Sequence, residues 1–212
     1  MKQILADFIY AVLAGAAIAI GGTIYLSLDN KIVGAMLFTV GLFAVCVNGF
    51  NLFTGKVAYV FDNKPRYLLF LLNCWVGNLL GAWLVAALLS LTRVGAGLYE
   101  KAAGLSDVKL ADSALSVFLL GIFCNMLVCL AVDGFRFNQH ELGKYIGLFL
   151  GVSVFILCGF EHCVANMFYF SMGDAWSLHT LIWLMLMTAG NAVGGIVLPG
   201  FRKLRRILLA EE

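Results

Sequence analysis

Leu142–Phe170 reads LGKYIGLFLGVSVFILCGFEHCVANMFYF: apolar to Cys158, then Gly159-Phe160-Glu161-His162, then apolar again through Phe170. About 20 apolar residues cross the hydrocarbon core of a bilayer as a helix. This stretch is long enough only if its polar interruption lies at membrane depth. Irregular backbone at that depth is stable where it is buried in protein or lines a polar cavity. A second stretch has the same form. From Ile32 the chain is apolar to Val47, meets Asn48-Gly49-Phe50-Asn51, and resumes as Leu52-Phe53-Thr54-Gly55-Lys56-Val57-Ala58-Tyr59. Two broken helices in one chain point to a pore or substrate site between them.

The rest of the sequence supplies the setting. Of 212 residues, 62% are hydrophobic and 12% charged, with a mean hydropathy of +0.96, against about 45–50% apolar and about 25% charged in soluble domains. That excludes disorder, a nucleic-acid partner and nearly every soluble enzyme fold. Continuous apolar runs lie at about 4–27, 67–92, 112–132 and 177–201. With the two broken runs they predict an all-α membrane protein of six transmembrane helices. No cleavable leader is expected ahead of the first span. The six cysteines lie in or beside apolar runs without a CxxC, so neither a disulfide nor a metal site is expected.

Six spans put both termini on one face. That face carries Lys2, Lys64, Arg66, Arg136, Lys144, Arg202, Lys203, Arg205 and Arg206, against Lys31, Arg93, Lys101 and Lys109 on the other. Positive charge marks the cytoplasmic side, which predicts cytoplasmic N- and C-termini, an outward loop from Lys101 to Asp112, and a cytoplasmic tail over 202–212 whose Arg202–Arg206 cluster meets anionic lipid heads.

The two broken runs superpose. Gly49-Phe50-Asn51 falls on Gly159-Phe160-Glu161 and Tyr59 on Tyr169, an offset of 110; Gly77-Asn78-Leu79-Leu80-Gly81-Ala82 falls on Gly190-Asn191-Ala192-Val193-Gly194-Gly195, an offset of 113. This predicts two three-helix repeats, about 4–92 and 112–201, within a single channel domain. An odd number of spans per repeat inverts the second copy, and paired discontinuous helices in inverted repeats frame a membrane pathway. The second half-helices are expected to begin near Phe53 and Val164 and to offer anions their free N–H groups.

His162 is the leading candidate for chemistry, because an ionisable side chain within a span is costly and imidazole exchanges protons near neutral pH. Glu161 suits either a structural role at the break or a role in transport. Asn125, Asn78 and Asn191 suit either helix packing or the lining of a path. Lys109 suits snorkelling to water or a field that gathers anions, and composition favours the former. Phe53 and Phe160 flank the breaks, where apolar rings can gate a pore. His140 and His179 are expected to be solvated.

Gly159-Phe160-Glu161-His162-Cys163-Val164-Ala165-Asn166-Met167 resembles the G-F-E-H-S/C-x-A-N-M signature of the formate/nitrite transporter family. Leu52-Phe53-Thr54-Gly55 resembles its L-F-T-G/S stretch, Gly121–Val132 its fourth span and Gly190–Gly195 its sixth. The resemblance covers residues 4 to about 202. It implies an aquaporin-like protomer in a homopentamer, one pore per subunit, in the cell (inner) membrane. Small monovalent weak-acid anions would pass, formate or nitrite first, with hydrosulfide the alternative. It makes His162 the central proton-exchanging residue and Lys109 the outer anion-attracting lysine, against the compositional reading. Asn125, Asn191 and Asn166 become polar contacts of the pathway, Phe53 and Phe160 constrictions, and Thr54 part of a mobile loop.

This chain departs from the family pattern in three places. Asn51 stands where an acidic residue is usual, and Lys56 where a small or amide residue is usual. Lys56 is expected to pair with Glu161, to serve as an inner anion site, or to snorkel. The amphipathic N-terminal helix is nearly missing, which leaves gating to the Thr54 loop or the pore open. A neutral-solute facilitator would have no need of Lys109 and His162, and no Asn-Pro-Ala pair occurs. An intramembrane enzyme would need a nucleophile with a base or paired acidic ligands, so neither catalysis nor a cofactor is expected.

Overall fold

In the computed structural model, which describes residues 2–210, nine α-helices and no strand occur among the described residues. They are α1 (Lys2–Ser27), α2 (Lys31–Asn48), α3 (Phe53–Lys56), α4 (Tyr67–Ser90), α5 (Gly95–Leu110), α6 (Ala114–Phe137), α7 (Glu141–Leu157), α8 (Cys163–Met172) and α9 (Leu178–Ala210). A 3-10 turn, Val57–Asp62, continues α3. α1, α2, α4, α6 and α9 are long and apolar enough to cross a membrane. α7 and α8 form the second broken run, as α2 and α3 form the first.

Local chemistry sets these boundaries. Asn30 caps α2, its side chain accepting from the N–H groups of Ile32 and Val33, and Ser113 caps α6 by accepting from Ser116 N–H. α2 and α7 stop at Gly49 and Gly159, whose φ values of +68° and +69° lie in the left-handed region that glycine adopts without a Cβ penalty. Phe50 N–H then donates back to Val45 O (3.0 Å), and Phe160 N–H to Phe155 O (2.9 Å).

α1 packs on α4 as α6 packs on α9, α2 and α7 join the two pairs, and α8 seats against α4. The pairs are close because glycine faces backbone. A Cβ at Gly81 would lie 2.0 Å from Val12 O, and one at Gly194 2.1 Å from Ile122 O. Small residues are what allow such approach between membrane helices. The two contacts keep the offsets seen in sequence, 110 for α1 on α6 and 113 for α4 on α9.

Three expectations change. The Lys101–Asp112 segment is not a loop, because α5 runs from Gly95 to Leu110 and packs on α8. Its Leu98, Ala102 and Ser106 are buried, a stripe at helical spacing that holds it against the bundle. Residues 202–210 are not a separate tail, since α9 continues through the basic cluster. Arg202 pairs with Asp133 (2.5 Å), and Lys203 Nζ donates to Phe61 O (3.1 Å). The resumed part of the first broken run is one α-turn of four residues followed by a 3-10 stretch of six, where α8 stays α-helical over its ten residues.

Candidate functional site

Each break is clamped by an asparagine from the helix behind it. Asn78 Oδ1 accepts from Phe53 N–H (2.9 Å), and its Nδ2 donates to Ala11 O (2.8 Å) and Asn51 O (3.0 Å). Asn191 Oδ1 accepts from Cys163 N–H (2.8 Å), and its Nδ2 donates to Gly121 O (2.8 Å) and Glu161 O (2.7 Å). Every partner is displaced by 110 residues. Asn51 N–H likewise donates to Tyr10 O and Glu161 N–H to Leu120 O. These bonds satisfy backbone that a continuous helix would have paired internally. Asn191 therefore spends its amide on the break, and it is not among the residues lining the cavities below.

His162 is 4% exposed and uses both ring nitrogens. Nδ1 accepts from Ala165 N–H (3.1 Å), so the imidazole caps α8. An accepting Nδ1 puts the neutral ring's proton on Nε2, and Nε2 lies 3.0 Å from Thr54 Oγ1. The bond runs from His162 to Thr54, whose own hydroxyl proton remains to be donated. The ring stacks on Phe155 with centroids 5.6 Å apart. The α8 N-terminus is thus largely capped from within, by Asn191 and His162, and is not an open cluster of N–H groups.

Two chambers lie at the two breaks, one of them reaching His162, and Thr54 lines neither. One, about 70 Å³, is lined by His162, Lys109, Asn166 and Phe160 together with Tyr25, Phe38, Phe155 and Tyr169. Phe38 and Phe155, which the sequence did not single out, face each other edge-on at 6.2 Å. The other, about 100 Å³, is lined by Lys56 and Arg136 with Val45, Cys46, Phe50, Leu52 and Gly55. Adding 110 to Val45, Cys46, Phe50, Leu52, Gly55 and Lys56 gives Phe155, Ile156, Phe160, His162, Ala165 and Asn166, all in the first chamber's wall. The chambers are counterparts under the repeat.

α5 brings Lys109 into the first chamber, where Nζ lies 2.6 Å from Glu161 Oε2, with both side chains nearly buried. Asn166 Nδ2 donates to the same oxygen (2.6 Å). The expected Lys56–Glu161 pair therefore does not form: α5 delivers a cation to Glu161 first, and Lys56 lines the other chamber. Lys109 is likewise not a solvated mouth residue. Beyond it a wider hollow is lined by Tyr25, Asp29, Lys31 and Lys101. Lys101, bonded to Asp29 at 2.9 Å, holds that carboxyl below the usual carboxylate range.

Asn125 Nδ2 donates to Thr54 O (3.1 Å) and Asn191 O (2.6 Å), tying α3 to α9 across α6, and its Oδ1 is buried without a partner among the described residues. Phe53 is buried next to Thr54 without lining either chamber. Phe160 packs on Phe123 at 5.7 Å. His140 and His179 are exposed and lie outside the site.

Comparison with known proteins gives a consistent picture. The family model described as "Formate/nitrite transporter" matches residues 2–204. The formate channel FocA of Escherichia coli is 31% identical, the alignment covering 94% of this chain and 85% of that protein. The nitrite transporter NirC of Salmonella typhimurium is 29% identical, covering 92% and 81%. A solved structure titled "Pentameric formate channel with formate bound" superposes with a TM-score of 0.80 at 26% identity, over 100% of this chain and 99% of that one.

Proposed function

The chain belongs to the formate/nitrite transporter family, and on that premise we propose that it conducts formate or a similar small weak-acid anion past Thr54 and His162. It is a multi-pass membrane channel for anions, and the finer statements here rest on its own residues. The observation that carries the reading is the His162–Thr54 bond, which joins the two breaks, with His162 and Lys109 lining one chamber and Lys109 paired to Glu161.

A bare anion in an apolar slit loses its hydration and must be repaid in hydrogen bonds. Thr54 provides one, since its hydroxyl accepts from Nε2–H and is left to donate. Neutral His162 in this geometry is a hydrogen-bond donor and not an acid. Losing the Nε2 proton would leave an imidazolate. Net proton transfer to the anion requires a proton first added at Nδ1, which displaces Ala165 N–H and uncaps α8. The proton then leaves from Nε2 to the Thr54 oxygen as the hydroxyl's own proton passes to the anion, which leaves the imidazole neutral with its proton on Nδ1.

The chain's ends flank one face: Lys203 reaches Phe61 O, and Asn73 Nδ2 donates to Ile4 O. The excess of basic residues on that face supports its being cytoplasmic, which puts the Lys56 chamber inside and the Lys109 chamber outside. The apolar outer faces of α1, α2 and α4 suit lipid and a homopentamer like the one named in the matched structure's title.

The test is uptake of formate, nitrite, hydrosulfide, lactate and chloride into proteoliposomes, from about pH 5 to about pH 8, the interval around the free imidazole value. The expected result is weak-acid flux that varies with pH, slow chloride, and loss of that variation in Thr54→Val. Flux indifferent to charge and pH would overturn the reading in favour of a neutral-solute pore.

A further inference from the structure

The two chambers share a frame but not a charge. In the Lys109 chamber the lysine is spent on Glu161 at 2.6 Å, and Asn166 adds a neutral amide. In the Lys56 chamber two cations face the cavity, Lys56 from α3 and Arg136 from the last turn of α6. The carboxylates nearby are Asp7, which attracts Lys56 without forming an ion pair, and Asp133, one turn before Arg136. Asp133 Oδ2 is taken by Arg202 (2.5 Å) and its Oδ1 by the Tyr59 hydroxyl (3.0 Å). Among the described residues no ion pair includes Lys56 or Arg136.

Both cations are held in place. Tyr67 Oη donates to Lys56 O (3.1 Å), which fixes the α3 backbone, and the Arg136 guanidinium lies 5.2 Å from the Tyr59 ring centre, a cation–π arrangement. The rest of the wall includes Val45, Leu52, Val132 and Phe135. A space of about 100 Å³ with two unpaired cations and apolar walls suits a small anion of low charge.

We propose that Lys56 and Arg136 form an anion-binding position beside Leu52, where the permeating anion pauses before or after passing Thr54 and His162. The position rests on the channel reading above and adds to it a sidedness. Glu161 is ion-paired to the cation in one chamber and no carboxylate pairs with Lys56 or Arg136 among the described residues of the other, so the Lys56 face saturates at lower anion concentration than the Lys109 face.

The test measures formate flux by the full chain in planar bilayers, with formate raised on one face at a time. Lys56→Asn installs the residue that the repeat carries at Asn166. It is expected to raise the half-saturating formate concentration on the Lys56 face about three- to tenfold and leave that on the Lys109 face unchanged. Lys56→Arg should retain the wild-type value, and Arg136→Gln, at an exposed position, should repeat the Lys56→Asn effect even where the latter assembles poorly. About 1 M salt should erase the difference between faces, because the Debye length falls to about 3 Å. If Lys56→Asn or Arg136→Gln conducts with both half-saturation values unchanged, the site is overturned while the channel stands. A wild-type chain that carries no formate or other weak-acid anion overturns both.

Discussion

Asn78 and Asn191 make the same three bonds at two breaks, so they predict the same loss. Replacing Asn191 by alanine removes the acceptor for Cys163 N–H and the donor to Glu161 O and Gly121 O. Gly121 O lies inside α6 and keeps its intrahelical donor. Cys163 N–H and Glu161 O belong to residues 0% and 4% exposed and lie at a break with no helical alternative. An orphaned buried group costs about 1–3 kcal/mol, so the two cost about 2–6 kcal/mol together. Interhelical bonds measured inside membranes average only about 0.6 kcal/mol, and three of them give a lower figure of about 2 kcal/mol. The expected loss for Asn191→Ala is therefore about 2–4 kcal/mol. Asn78→Ala should match it, because Phe53 N–H and Asn51 O are orphaned in the same way. Denaturant titration in mixed micelles, followed by the far-UV signal, measures both. A change below about 0.5 kcal/mol, the range of ordinary surface substitutions, would refute the clamp. A gap of more than about 2 kcal/mol between the two variants would refute their equivalence.

Other outcomes follow from the same geometry. Lys109→Gln strands Glu161 beside Asn166 alone and should destabilise by about 3–5 kcal/mol, while Lys109→Gln/Glu161→Gln recovers most of it; a double variant no better than the single would show that the ion pair is not the cause. Gly159→Ala and Gly49→Ala meet nothing within 4 Å, so each should cost the left-handed penalty of about 1–2 kcal/mol, read as a shift in the unfolding midpoint. His162→Asn keeps a side chain able to cap α8 and should be about 1 kcal/mol more stable than His162→Leu, although both lose the pH dependence of formate flux.

The breaks, the repeat and the pairing of Asn78 with Asn191 were legible because each rests on a local rule: glycine ending a helix, polar residues inside an apolar run, small residues between close helices. What failed to show was distance across the bundle. Lys56 and Lys109 are both cations of the right sign for Glu161, and sequence alone does not say that α5 arrives first. The segment carrying Lys109 looked like a loop because its charges broke the hydropathy. Yet Leu98, Ala102 and Leu105 lie along one helical stripe that leads to Lys109, a signal at spacings of three and four. Arg136 counted only toward the charge of one face, since nothing in its neighbourhood says that Asp133 is already taken. Phe38 and Phe155 resembled any other phenylalanine in an apolar run, and only the joining of α2 to α7 turns them toward one another.

The differences between the two copies fall where the chemistry is. The clamping asparagines, the left-handed glycines and the backbone bonds are the same in both, which keeps the breaks at matching positions. At the next residues the copies diverge: Asn51 against Glu161, Leu52 against His162, Lys56 against Asn166. One of these differences accounts for a feature of the backbone as well. His162 caps Ala165 N–H, and α8 runs ten residues from there; Leu52 has no polar atom to offer Gly55 N–H, and α3 ends after four residues and tightens into the 3-10 turn. The half-helix carrying Thr54 is held from outside, by Asn78, Asn125 and Tyr67, while the one that follows His162 is also fixed at its start by its own cap. The histidine thus caps its own half-helix and reaches across to the other through a single hydrogen bond. A symmetric frame acquires a direction in this way, with a neutralised ion pair and a capped imidazole on one side of the contact and unpaired cations on the other.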